Sequence, residues 1–208
     1  DLFKANFNDT FYIIAQFINE NKNKSISGLI ASLYAISAIC HPYDNTDFNS
    51  FINENLGFVF TCFSSNYNRI IQISFYTLLK IASSFPKLIS DPEIFTKILI
   101  YSQSNMFRTV EIAGQVFDML FTITKKLSPS VNSSFFKQYL SIFNIMNQNE
   151  VILQSEIVDK PYIFMSFVIR NIEKLTVMDD LKNLLLNKLK CIFFSIQNVP
   201  SQEHQVHM

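Results

Sequence analysis

The chain has no Trp and, in 208 residues, only 3 Gly, 3 Cys and 3 His. Each shortage closes off a class of function. Gly28, Gly57 and Gly114 stand far apart, so no glycine-rich loop exists to cradle a phosphate, and HExxH and GxSxG motifs are likewise missing. His41 falls in a loop, and His204 with His207 in a polar tail after Pro200, which leaves no place for a general base. His204 and His207 share an i, i+3 spacing but have no third ligand beside them, so no metal and no other cofactor is expected. Cys40, Cys62 and Cys191 are odd in number, widely separated and set in apolar stretches without a CxxC pair. They read as core thiols of a reducing compartment, and the expected location is cytoplasmic, with the nucleus as the alternative.

Charge is also in short supply. The 17 Lys and Arg are matched by 17 Asp and Glu, so nothing provides the phosphate neutralisation on which nucleic-acid binding depends, and no nucleic-acid partner is expected. Lys22 with Lys24 and Lys125 with Lys126 read as cations at helix C-termini or in solvated loops. The uncharged run from Ser25 to Tyr43 is broken by serines and His41 and ended by Pro42, and its apolar centre is too short for a bilayer; it reads as a buried helix and not a membrane span. The sequons at Asn8, Asn23 and Asn132 carry little weight in a chain this rich in Asn and Ser. With Asp and not Met at position 1, a piece of a longer polypeptide is expected.

What the chain does have is hydrophobicity, 49% of residues, recurring at spacings of three and four and almost never alternating. That pattern predicts an all-α fold of nine helices, at 9–20, 26–40, 47–63, 67–84, 92–104, 107–127, 133–148, 161–175 and 178–198. The start at Asp91-Pro92-Glu93 has a mechanism: the Asp accepts a backbone N–H, the Pro needs none at the first helical position, and the Glu suits the positive helix end. Thr176 with Asp179 resembles a capping box, and Asn132 or Ser133 is the expected cap after the break at Ser128-Pro129-Ser130.

The helices repeat with a period of 42 residues. In the second helix of each pair the columns are Leu33/Phe75/Phe117, Ile36/Leu78/Leu120 and Ile39/Ile81/Ile123; in the first they are Ile14/Leu56/Ile98/Leu140 and Phe17/Val59/Tyr101/Phe143. The segment from Glu150 to Lys160 pushes the fourth second helix about six residues late, which brings Met165, Val168 and Ile169 into the core columns. One helix pair cannot bury its apolar face alone, so each is expected to stack on the next in an α-solenoid of antiparallel pairs, about four and a half repeats. The expected domain is 1–199, with repeats near 9–40, 47–84, 92–127 and 133–175, a final helix at 178–198, and a tail at 200–208.

In architecture, this two-helix unit resembles the HEAT and armadillo class of α-solenoids. The resemblance implies that partners, other proteins, lie along a concave face lined by second helices. The non-core stripe there is Arg69, Gln72, Tyr76 and Lys80, joined by Tyr34 and, one repeat on, by Glu111, Gln115 and Asp118. Tyr and Arg are the residues that most often carry interface energy. The expected function is a non-enzymatic protein-binding scaffold or adaptor segment. The alternative is a fragment similar to the karyopherin-β carriers of nuclear transport, which would add a small GTPase as partner.

Overall fold

A computed structural model describes residues 7–40, 46–146, 148–149, 155–173, 177–180, 182–183 and 186. Among them there is no strand. The helices are α1 (Phe7–Asn21), α2 (Ile26–Ile39), α3 (Thr46–Cys62), α4 (Asn68–Ser84), α5 (Pro86–Ile89), α6 (Pro92–Asn105), α7 (Val110–Thr124), α8 (Pro129–Ser134), α9 (Phe136–Met146) and α10 (Asp159–Arg170). All ten belong to one compact unit, Asp1–Ile172. A second unit, Glu173–Met208, has helical residues at 178–180, 182–183 and 186 and an Asp179–Lys182 ion pair at 3.8 Å. The rest of the expected helix 178–198, Thr176 of the expected capping box, Cys191, and His41, His204 and His207 lie outside the described residues.

Local chemistry sets the helix ends. Asp91 Oδ1 accepts from the backbone N–H of Glu93 (2.9 Å) and Ile94 (3.2 Å), as its position before Pro92 predicts. Ser25 and Thr109 cap α2 and α7 in the same way, through Gly28 N and Ile112 N. Two prolines, one of them in the expected break at Ser128-Pro129-Ser130, open short helices, because a residue without an N–H suits the first helical position. Pro86 starts α5, and Pro129 starts α8 with Ser128 as its cap. Asn132 and Ser133, the expected caps, therefore lie inside α8. Asn132 is fully buried: its Nδ2 faces Thr124 O at 3.2 Å and Asn171 O at 3.4 Å, and its Oδ1 accepts from Tyr139 OH at 3.3 Å. A sequon there is closed to modification in the folded chain.

The helices form two rows. α2, α4, α7 and α10 touch in succession, while α1 packs on α2, α3 on α4, α6 on α7 and α9 on α10. In α2, α4 and α7 the shift of 42 residues reproduces the interior column by column. Leu33/Phe75/Phe117, Ile36/Leu78/Leu120 and Ile39/Ile81/Ile123 are all buried, as is the column Ser32/Ser74/Val116. Each Leu, Ile or Phe so buried contributes about 1.5–3 kcal/mol. The buried hydroxyls of Ser32, Ser74, Thr77 and Thr124 donate to the carbonyl one turn back, which satisfies them inside the core. Met165 and Val168 of α10 are buried, and Ile169 is half-buried.

The row of α1, α3, α6 and α9 keeps its register less strictly. Leu56, Ile98, Val59 and Phe143 are buried, but Ile14, Leu140 and Tyr101 are half-buried and Phe17 is exposed. Aromatic pairs join its members: Phe11 with Phe51, Phe60 and Phe63 with Tyr101, and Phe95 with Phe135 and Tyr139.

Candidate functional site

A surface recess of about 230 Å³ opens where three helices of the α2–α4–α7–α10 row meet. Its lining is Tyr34 from α2, Arg69, Gln72, Ile73 and Tyr76 from α4, and Gln115 from α7. Residues at i, i+3, i+4 and i+7 share one helix face, which is how α4 supplies four of the six. Tyr34 and Tyr76 are both exposed, and buried Ile73 forms the apolar floor.

Arg69 is the one ionic group in that lining. Its Nη1 donates to Gln72 Oε1 at 2.9 Å and its Nη2 to Tyr34 OH at 2.8 Å, so a flexible side chain is held between two helices. A guanidinium has five N–H donors, and these bonds use two of them. Among the described residues the ion pairs are Asp118–Lys160 and Asp179–Lys182, so Arg69 has no carboxylate partner there. It also sits in the first turn of α4, where the helix dipole is already positive and the N-cap Tyr67 offers no side-chain bond. Opposite it on α7, Gln115 Oε1 is sealed from water without a hydrogen-bond partner. An orphaned oxygen of this kind costs about 1–3 kcal/mol.

Five of the eight residues anticipated from the sequence thus converge: Tyr34, Arg69, Gln72, Tyr76 and Gln115. The other three stand outside the lining. Lys80 places its ammonium 5.3 Å from the centre of the Tyr76 ring, a cation–π contact that backs one wall. Glu111 is held at the N-terminus of α7 by the backbone and the Thr109 hydroxyl, which lowers its pKa. Asp118 is taken by Lys160 of α10, with Nζ 2.7 Å from both carboxylate oxygens. The same ammonium approaches Gly114 O at 3.5 Å.

Two contributors escaped the sequence reading. Ile73, being apolar, was not named in the stripe, although it lies on the same helix face as Arg69, Gln72 and Tyr76. Lys160 carried a signal: Tyr34, Tyr76, Asp118 and Lys160 are successive steps of 42 residues. The six-residue offset of the fourth second helix concealed it.

Elsewhere the chemistry is quiet. Burial pushes the Cys40 thiol up to about 12, against a small opposing effect of Lys80, and the Cys62 thiol up to about 11, against hydrogen bonds with Ser74 and Thr61. Both are poor nucleophiles at neutral pH. Among the described residues, no cluster of three or more His, Cys, Asp or Glu has the arrangement of a metal site, and no helix is long and apolar enough to cross a membrane. Compared with family models, curated proteins and solved structures, the chain matches none.

Proposed function

We propose that this chain is a non-enzymatic protein-binding segment, an α-solenoid of the HEAT and armadillo type whose second helices receive a partner polypeptide. One observation carries the reading: five of the eight residues chosen from helical spacing and the 42-residue shift come together, from three helices, around one recess with a positioned arginine that has no carboxylate partner among the described residues. The stacking of α2, α4, α7 and α10 and the constant shift of their buried columns support the solenoid arrangement. In a stacked array of this kind each pair contacts its neighbours, and the exposed stripes of successive helices run together into an extended surface. Tyr and Arg at its centre are the residue types that most often dominate interface energy. The carrier alternative adds no residue to this account.

The test is photo-crosslinking with a benzophenone amino acid placed at Tyr76, with the same group at exposed Ile100 of α6 as control. The expected result is a discrete protein adduct at Tyr76 that is absent at Ile100. The adduct is then identified by mass spectrometry and its binding rebuilt from purified components. Equal adduct patterns at both positions would remove the α4 face as the binding surface.

A further inference from the structure

Resting on that reading, we infer that the recess takes an acidic side chain, Glu or Asp, of an extended partner segment, with Arg69 binding the carboxylate and the Gln115 amide the adjoining peptide unit. Charge complementarity argues first. The lining holds one cation and no anion, and Lys80 adds a second positive charge behind Tyr76. Of the nearest acids of α7, Asp118 is paired with Lys160, and Glu111 stands exposed in the first turn of the helix, outside the lining.

Preorganisation argues next. Tyr34 and Gln72 hold the guanidinium so that little side-chain freedom remains to be lost when an anion arrives. A neutral apolar occupant would strip water from Arg69 and return nothing. A cationic occupant would meet a like charge. Gln115 lines the recess beside Arg69, and a side-chain amide, with both an acceptor and donors, matches a peptide unit better than a bare carboxylate or phosphate. The recess, about 230 Å³, has room for one side chain and its peptide group.

The experiment follows the side-chain resonances of Arg69 Nε–H and Gln115 NH₂ in the isotope-labelled whole chain. Three terminally blocked peptides, identical except for a central Glu, Gln or Lys, are titrated in. The Glu peptide is expected to shift both resonances, the Gln peptide to bind about tenfold more weakly, and the Lys peptide to leave them in place. Arg69→Gln should bring the Glu and Gln peptides to equal affinity. Tyr34→Phe, which removes only the hydroxyl that anchors Nη2, should give a smaller loss of the same preference and serves if Arg69→Gln unfolds. Equal binding of the Glu and Gln peptides to the unmodified chain, or shifts at Arg69 with inorganic phosphate that exceed those with the Glu peptide, would overturn the inference. A flat peptide series beside specific crosslinks at Tyr76 rejects the acidic side chain alone; loss of both rejects the binding face itself.

Discussion

Helices α2, α4 and α7 and the row of α1, α3, α6 and α9 are made of similar apolar residues, yet the first three hold the 42-residue register and the other row drifts. The difference lies in what crosses between helices. In the first row, side chains reach the backbone of the preceding pair: Thr77 Oγ1 lies 3.1 Å from Leu33 O, and Ser84 Oγ donates to Cys40 O at 2.9 Å, both across 44 residues. Lys160 reaches Asp118 across 42. Directional bonds of this kind have a narrow geometric optimum and lock one helix against the next. The second row has a bond of this kind from Gln103 Nε2 to Ser141 Oγ at 3.1 Å, but is joined more by aromatic pairs, whose interplanar angles run from 17° for Phe60–Tyr101 to 89° for Phe95–Phe135. The first row has such pairs only between α7 and α10 among the described residues. Rings accept stacked and edge-on contacts at similar energy, so a slip of a residue is absorbed. The fixed row is also the one that carries the recess, and precise placement of Tyr34 against Arg69 depends on it.

Substitutions can break this contrast. Phe117→Ala, in the fixed row and fully buried, should cost about 3–5 kcal/mol in denaturant unfolding, whereas Tyr101→Leu, half-buried in the drifting row, should cost about 1 kcal/mol. Comparable losses would show that the two rows are equally strict. At the junction of the rows, a Cβ on Gly28 would lie 2.5 Å from the carbonyl oxygen of Asn21, closer than real Cβ atoms approach. Gly28→Ala should therefore destabilise by about 1–3 kcal/mol, because the clash is with backbone and not with a side chain that can swing away. Gly57, on the solvent side of α3, has nothing within 4 Å of an added Cβ. Gly57→Ala should stabilise by about 0.5–1 kcal/mol, through the lower helix propensity of glycine. Opposite signs for the two glycines, read from midpoints at constant m-value, are the sharpened form of the prediction.

How much of this was legible in the sequence follows the same division. The buried columns of α2, α4 and α7 were readable because an unbroken shift of 42 residues lets three helices vote on each position. Phe17 was misread as core by extending that shift to α1, where it stands exposed. Arg69, Gln72 and Tyr76 were readable as a stripe from helical spacing, which fixes the shared face of a helix whatever its partners, and the shift of 42 residues carried that face to Tyr34 and to the side of α7 that holds Gln115. What spacing cannot convey is reach between pairs. Nothing in the pattern around Asp118 shows that a long side chain from α10 closes over it, or that Ile73 floors a recess and is not wholly committed to the interior. The short helices α5 and α8 were missed because a proline marks a helix start as readily as a break, and only the backbone that follows decides between them.

The measurement that bears most directly on the whole account is the affinity of the purified chain for the partner crosslinked at Tyr76, before and after Tyr76→Ala and, separately, Ile100→Ala. The account predicts a loss of about tenfold or more for Tyr76→Ala and no change for Ile100→Ala. Unchanged affinity after Tyr76→Ala, or matching losses at both positions, would contradict it.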